Sequence, residues 1–253
     1  MMSAEMILQM SSEVVRLLEH GAKADCRMLE TGGIALSGEA AADLNMVFLT
    51  SDASRQDLDA VLAAVSAKGL DALLVVEDGA DTVRGWAAEA GLTEVGQMPL
   101  MQHDGAGISP SSAFTVRIAD PDEVDIGNRL AAAAFGLDEG HCRSAIPASA
   151  LASEGYDLWL AEDDGTALGS GLFIRTGDHV GIYTMSTPAE NQRRGVGMAV
   201  LTAAMAHYRE RGVKLFTLGA TEKGYPLYER IGFRTVSQPH IFVIGASTQF
   251  PGQ

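Results

Sequence analysis

Residues 187–197 read Thr187-Pro188-Ala189-Glu190-Asn191-Gln192-Arg193-Arg194-Gly195-Val196-Gly197. The segment before them, His179–Ser186, reads as a strand, and the segment after them, Gly195–Arg211, reads as a helix. A strand, a glycine loop and a helix N-terminus together form an anion site. Unpaired backbone N–H groups point outward there, glycine permits close approach, and the helix dipole adds positive potential. Arg193 and Arg194 place two cations beside it. The chain as a whole has 33 acidic and 18 basic residues and a formal charge of -15. Two adjacent arginines opening a glycine loop in so acidic a protein point to a pyrophosphate ligand.

The spacing separates the pyrophosphate ligands. A dinucleotide fingerprint requires a third glycine, where Val200 stands, and an acidic residue after the next strand. That strand, Lys214–Gly219, runs without an acid into Ala220-Thr221. A Walker loop would need Gly-Lys-Ser/Thr, which is absent. What fits is Q/R-x-x-G-x-G/A, from Gln192 through Gly195 to Gly197. A second signature follows in Gly224-Tyr225-Pro226-Leu227-Tyr228-Glu229-Arg230-Ile231-Gly232-Phe233. At these residues the sequence resembles the GNAT acetyltransferase superfamily, over about residues 114–245.

Further out, the elements alternate in both halves. Ala4–Glu19 reads as a helix, Gly33–Ser37 and Leu44–Thr50 as strands, and Ser54–Lys68 as a helix with Leu58, Val61, Leu62 and Val65 at helical spacing. Ala72–Val76 suits a buried strand, Asp81–Ala90 a helix, and Val95–Gln102 a single extended segment. In the second half Phe114–Ile118 is a strand, Asp120 caps a helix to about Phe135, and residues 136–153 are broken helix. Strands at Tyr156–Glu162, Ala167–Arg175 and His179–Ser186 are joined by the turn signals Asp163-Asp164-Gly165 and Thr176-Gly177-Asp178. Then come the strand Lys214–Gly219, the helix Gly224–Ile231 and a last extended segment, Thr235–Ile244. The expected class is α/β (α+β), with mixed, mostly antiparallel sheets flanked by helices.

The two halves resemble each other. Lys68-Gly-Leu-Asp-Ala-Leu-Leu-Val lies beside Arg211-Gly-Val-Lys-Leu-Phe-Thr-Leu, and Glu89-Ala-Gly-Leu-Thr-Glu-Val-Gly-Gln beside Arg230-Ile-Gly-Phe-Arg-Thr-Val-Ser-Gln. The offset is 143 residues between Gly69 and Gly212, and 141 between Gly91 and Gly232. Residues 1–110 carry 17 acidic and 6 basic side chains, and residues 111–253 carry 16 and 12. The composition shifts in the Gly- and Ser-rich stretch His103–Phe114, which is linker chemistry. Two domains are therefore expected. Residues 1–110 would be a degenerate copy, passing from Thr50 to its helix through Ser-Asp-Ala-Ser without the glycine loop, and residues 111–253 the functional copy.

The resemblance implies a GNAT-like fold for each copy, with the strands His179–Ser186 and Lys214–Gly219 splayed in the second. It also implies transfer of an acetyl group from acetyl-coenzyme A to an amine by direct attack. The pantetheine arm would pair with backbone at Met185, Ser186 and Thr187, where a free N–H would polarise the thioester. The pyrophosphate would lie on Gln192, Arg193, Arg194, Gly195, Val196, Gly197 and Met198. Tyr228 stands where the family places the acid that protonates the leaving thiolate; a phenol, with pKa about 10, stays protonated at neutral pH. The other reading of Tyr228 is a core aromatic on an amphipathic helix. Glu162 and His141 are the visible candidates for a base, and either has a structural reading. Cys142 beside His141 lacks further ligand spacing, so neither a metal site nor a thiol nucleophile is expected. Trp86 and Trp159 read as packing residues.

Composition narrows the partners. The net charge argues against nucleic acid and an anionic membrane surface, and favours a cationic acceptor. No apolar run approaches the roughly 18–20 residues that span a bilayer. The start, MMSAEMILQMSSEVVRLL, holds Glu5 and Glu13 with no basic flank, so a secretory leader is not expected. Two cysteines, Cys26 and Cys142, suit a reducing cytoplasm. The expectation is a cytoplasmic monomer or homodimer that acetylates a small-molecule amine. The rival reading is a sensor that binds acyl-coenzyme A without turning it over.

Overall fold

In chain order the computed structural model, which describes residues 3–110 and 113–245, has α1 (Ser3–Leu18), β1 (Asp25–Leu29), β2 (Gly32–Leu36), β3 (Asn45–Leu49), α2 (Arg55–Lys68), β4 (Ala72–Val76), α3 (Asp81–Glu89) and β5 (Thr93–Gln97). It continues through β6 (Leu100–His103), β7 (Thr115–Ile118), α4 (Val124–Phe135), α5 (Glu139–Ala145), α6 (Ala148–Leu151) and β8 (Tyr156–Asp163). The remainder is β9 (Thr166–Thr176), β10 (His179–Ser186), α7 (Val196–Glu210), β11 (Leu215–Gly219), α8 (Tyr225–Ile231), β12 (Arg234–Ser237) and β13 (His240–Ile244). Of the expected linker, Ser111 and Ser112 lie outside the described residues.

Local chemistry accounts for the boundaries. Ser54 and Asp57 form a reciprocal capping box that starts α2, and Gly69 at φ 62 ends it. Asp164 (φ 47) and Gly165 (φ 76) supply the two positive φ values that a tight hairpin between β8 and β9 requires. Along α7 the buried residues Val196, Ala199, Val200, Ala204 and Tyr208 recur at helical spacing.

Two sheets result, in the orders β1-β2-β3-β4-β13-β5 and β12-β6-β11-β10-β9-β8-β7. Each contains one parallel pair, β3 with β4 and β10 with β11. Antiparallel pairs are β1–β2, β2–β3, β4–β13 and β5–β13 in the first sheet, and β6–β11, β7–β8, β8–β9 and β9–β10 in the second. The repeat is thus visible as topology, with β2-β3-β4 matching β9-β10-β11. Each unit has its own core. In the first, Ile34, Val47, Leu58, Val61, Leu74, Val83 and Phe242 pack together. In the second, Phe173, Val180, Val200, Leu201, Met205, Tyr208, Phe216 and Phe233 do so. A fully buried side chain of this kind contributes about 1.5–3 kcal/mol before entropy is counted.

The structure changes the expected boundaries. One compact unit runs to Pro99 and resumes at Val236; the other is Leu100–Thr235. The division therefore does not follow 110/111, and the Gly/Ser-rich stretch lies within the second unit. The single extended segment expected over Val95–Gln102 is two strands in different sheets, β5 and β6, separated at Met98-Pro99. The expected Thr235–Ile244 likewise splits into β12 and β13 around Gln238-Pro239. Proline has no N–H to give a ladder, and it marks each transfer between sheets. β13 fills the place beside β4 that β6 fills beside β11, so each sheet takes one strand from the other sequence copy. Cutting the chain at 110/111 should therefore leave both pieces incomplete. Expressed separately, residues 1–110 and 111–253 should each lack the cooperative urea transition of the whole chain. A fragment 111–253 with an intact transition and native-like circular dichroism would count against this topology.

Candidate functional site

β10 and β11 run parallel from His179 opposite Leu215 to Ile182 opposite Leu218, and there the pairing stops. β10 continues to Ser186 while β11 ends one residue later at Gly219, itself paired with Leu100 on its other side. The expected splay of these two strands is therefore present. On its other edge β10 is bulged against β9: Tyr183 faces Leu172 and Ser186 faces Ser170, with Thr184 and Met185 between. Thr184 has φ 43, in the left-handed region that a β-branched residue rarely enters. Ser186 Oγ donates to the Thr184 carbonyl at 2.7 Å.

The loop after β10 folds on itself. Gln192 Nε2 donates to the Thr187 carbonyl at 3.0 Å, and Asn191 Nδ2 donates to Leu168 at 3.4 Å. A 3-10 turn, Ala189–Asn191, precedes them. Gly195, at φ 91, is the N-cap of α7 and gives the helix no side-chain cap. The helical ladder opens with Ala199 N–H donating to Gly195 at 3.0 Å. The N–H groups of Val196, Gly197 and Met198 therefore have no acceptor within the helix. Val196 is buried and faces the core, so only its backbone is available, while Gly197 and Met198 are half-buried. At Gly197 a Cβ would stand 3.1 Å from Leu227 of α8, which shows how closely the two helices approach.

The two arginines differ. Arg194 bonds Asp163 Oδ2 at 3.0 Å and Asn191 Oδ1 at 3.3 Å, and its guanidinium lies 6.0 Å from the centre of the Phe114 ring. Arg193, at φ 60, is exposed, and its side chain has no bonded partner among the described residues. Asp163, expected as part of a turn, is the last residue of β8 and holds Arg194 instead. Sequence reasoning missed this pair because it joins residues 31 apart in the chain. Asp163 is adjacent to the hairpin, so turn chemistry alone explained its presence.

Tyr228 lies on α8, buried to 7% exposure, with its ring 6.0 Å from that of Phe233 and folded back over Gly224. Its hydroxyl has no hydrogen-bond partner among the described residues, and burial pushes its pKa up to about 12. The phenol is thus protonated across the neutral range, and it packs as a core aromatic.

The base candidates fare differently. Glu162 is gripped by Arg117 through Nη2 at 2.7 Å and Nε at 3.2 Å. Arg117 also makes two bonds to Glu123, at 2.7 and 2.8 Å. Glu162 is therefore one end of a carboxylate–guanidinium–carboxylate clamp and is not a free base. His141 lies on α5, where its backbone N–H donates to the capping Asp138 carboxylate at 3.0 Å. Burial raises the Cys142 thiol to about 11, so it stays protonated and unreactive. Among the described residues no cluster of His, Cys, Asp and Glu could hold a metal ion, and no helix is long and apolar enough to cross a membrane. Trp159 packs edge-on against Phe173, Tyr208 and His207, and Trp86 packs against the core of the first unit.

The matching region of the first unit is closed. Its parallel pair runs to Leu49 opposite Val76, and Glu77 N–H extends the ladder to the Leu49 carbonyl at 3.0 Å. The Glu77 carboxylate, 6% exposed, accepts from Ser51 N–H at 2.7 Å. By the offset of 143, Glu77 stands where the second unit has Ala220. The start of α2 is filled by the Ser54–Asp57 box, whose bonds from the Ser54 N–H and hydroxyl hold the Asp57 carboxyl below its usual range.

With that geometry in view, the relatives agree. Residues 138–245 match a family model described as "Acetyltransferase (GNAT) domain". A mycothiol acetyltransferase of Propionibacterium freudenreichii subsp. shermanii is 32% identical over 98 residues, covering 34% of this chain and 31% of that relative. The chain thus spans about a third of the length of that curated relative. A GCN5-related N-acetyltransferase from Kribbella flavida superposes with a TM-score of 0.66 at 17% identity, over 94% of this chain and 95% of that one. A tandem GNAT protein from the clavulanic acid biosynthesis pathway does so with a TM-score of 0.59 at 11% identity, over 98% of each. Residues 138–245 are thus similar to a GNAT acetyltransferase domain, and the chain shares its fold with two-domain GNAT proteins.

The state of Tyr228 can be read directly. Of the five tyrosines, Tyr228 and Tyr208 should ionise late in a spectrophotometric titration, because burial disfavours both phenolates. Tyr228→Phe should remove one late-titrating phenol and leave the early ones unchanged. The sign for stability follows. Tyr228 is raised in the folded chain, so its contribution is whole below about pH 10 and declines as pH rises toward about 12. Loss of an early-titrating phenol in the variant would refute the burial argument.

Proposed function

We propose that the second unit transfers an acetyl group from acetyl-coenzyme A to the amine of a small molecule. The observation that carries this reading is the end of β10–β11 pairing at Ile182/Leu218, in the strand that leads to the uncapped start of α7. The thioester arm then supplies the missing edge by pairing with backbone at Met185, Ser186 and Thr187. The pyrophosphate accepts from the N–H groups of Val196, Gly197 and Met198, with Gly195 permitting the approach and Arg193 adding charge. Gln192 and Arg194 hold the loop in shape from behind.

The chemistry follows from these placements. The neutral amine attacks the thioester carbonyl, forming the C–N bond and pushing charge onto oxygen, where backbone N–H groups of the bulged strand stabilise it. Collapse breaks the C–S bond, and the leaving thiolate takes the Tyr228 proton. The ammonium proton leaves to solvent, with Glu162 already engaged by Arg117, and solvent returns a proton to the Tyr228 phenolate. The first unit takes no coenzyme A, because its strands stay paired and its donors hold Glu77 and Asp57. Likeness to a relative named for mycothiol is in keeping with a small-molecule acceptor, as is the absence of a basic face in the sequence.

Calorimetry should find one coenzyme A site per chain, and Arg193→Ala should weaken it about tenfold or more, the scale of a lost charge-assisted bond. Arg194→Ala should act less strongly on affinity and should loosen the loop, read as faster amide exchange over residues 187–195. Two sites per chain, or an unaltered dissociation constant in the Arg193→Ala, Arg194→Ala double variant, would refute the assignment.

Tyr228→Phe should lower turnover by about a hundredfold, within the usual range for general acids, while coenzyme A affinity changes little. Thiol release with a panel of amines measures both. Unchanged turnover where chemistry is rate-limiting would remove the acid role. Binding without amine-dependent thiol release across a broad panel would favour the sensor reading.

A further inference from the structure

Thr184 and its neighbours carry more information than the splay requires. Left-handed backbone at a β-branched residue has a steric cost and persists only where its surroundings impose it. Among the described residues only Asp164, Thr184 and Arg193 are non-glycine residues with positive φ, and none lies in the first unit. Asp164 sits in a hairpin turn and Arg193 in an exposed loop, where that conformation is cheap. Thr184 sits inside a strand.

Three features impose it. Ser186, 1% exposed, donates its hydroxyl to the Thr184 carbonyl at 2.7 Å, fixing the peptide between Thr184 and Met185. Gly171 leaves the space that the Met185 sulfur occupies, so that side chain turns toward β9 and away from the splay. Gly169 does the same one step on, where a Cβ would stand 2.8 Å from the Ser186 carbonyl and 2.6 Å from Val196. Of these, only the Ser186 hydroxyl acts on the strained residue itself. In the first unit the strand opposite β4 stays paired to its end and has no such residue.

We propose that Ser186 is a positioning residue for acetyl transfer: its hydroxyl holds Thr184 in the bulge and so presents the Met185 backbone to the thioester carbonyl. This rests on the acetyl-transfer reading above. Ser186 touches no reacting atom through its side chain, because that side chain is bonded to its own strand. Its substitution therefore acts on how the carbonyl is polarised more than on how tightly coenzyme A is held.

The test is a double-mutant cycle with Thr184→Gly, since glycine adopts positive φ without steric cost and does not need the hydroxyl to hold it there. Each chain is assayed for kcat, for KM toward acetyl-coenzyme A, and for the infrared carbonyl band of bound carbon-13 acetyl-coenzyme A. Ser186→Ala should lower kcat about tenfold with KM within about twofold, and should move the carbonyl band back toward its free position. In the Thr184→Gly background the same substitution should cost less than about threefold. Equal losses in the two backgrounds, or an unshifted band and unchanged kcat in Ser186→Ala, overturn the proposal. Where no amine on the panel is turned over, the band decides alone. Wild-type chain that binds no acetyl-coenzyme A overturns the acetyl-transfer reading itself, which the wild-type control distinguishes from failure of the Ser186 role.

Discussion

Whether two neighbouring parallel strands stay hydrogen-bonded to their ends is the constraint on which the two halves of this chain differ. In the first unit they do: β3 and β4 pair through Leu49 and Val76, and Glu77 N–H carries the ladder one step further. In the second they stop at Ile182 and Leu218, with four residues of β10 still to run. Buried backbone groups are rarely left without partners, so an opened ladder has to be met by water or by a ligand that brings donors and acceptors of its own. The amides of a pantetheine arm have that chemistry. The topology of the two sheets is otherwise alike, so the difference lies in a few side chains at one end of one strand pair.

Those side chains treat negative charge in opposite ways. The first unit satisfies its loop and helix start with its own carboxylates, Glu77 on Ser51 N–H and Asp57 on Ser54 N–H. The second puts Ala220 at the position of Glu77 and Gly195 at the helix cap, so neither position supplies a carboxylate for the same kind of donor. A carboxylate held on a backbone N–H in a half-buried site is a persistent competitor for an incoming anion, because displacing it leaves a charge without its bonds. Two of the acidic residues in 1–110 are thus held on the chain's own backbone N–H groups. Net charge alone does not reveal whether a helix start is open to an external anion.

Much of this was legible from residue order. The glycine loop from Gln192 to Gly197, the Tyr228–Gly232–Phe233 signature and the glycine-led repeats went with expectations that match β8, β9, β10, α7, β11 and α8 to within a residue or two. What residue order did not carry is of three physical kinds. Exchange of strands between sheets depends on long-range pairing, so Val95–Gln102 and Thr235–Ile244 read as continuous although Pro99 and Pro239 interrupt them. Edge strand β1 lacks a buried face, with the burial of Asp25–Leu29 only partial, and so shows no alternation to detect. Backbone strain at Thr184 is invisible because threonine is an ordinary strand residue, and only the coordinates show the φ that makes it unusual.

The pair Arg193-Arg194 shows why adjacency in sequence is a poor guide to shared function. Positive φ at Arg193 rotates the chain so that successive side chains leave the loop differently. One result is that Arg194 reaches Asp163, Asn191 and the Phe114 ring, contacts that hold the loop against the β8–β9 hairpin. The other is that Arg193 stays exposed. A guanidinium already bonded to a carboxylate must give up that bond before it can meet a phosphate, so its net gain from an incoming anion is small. An exposed one gives up only water. The loop therefore commits one guanidinium to holding its own shape and leaves the other exposed, much as Ser186 is bonded within its own strand.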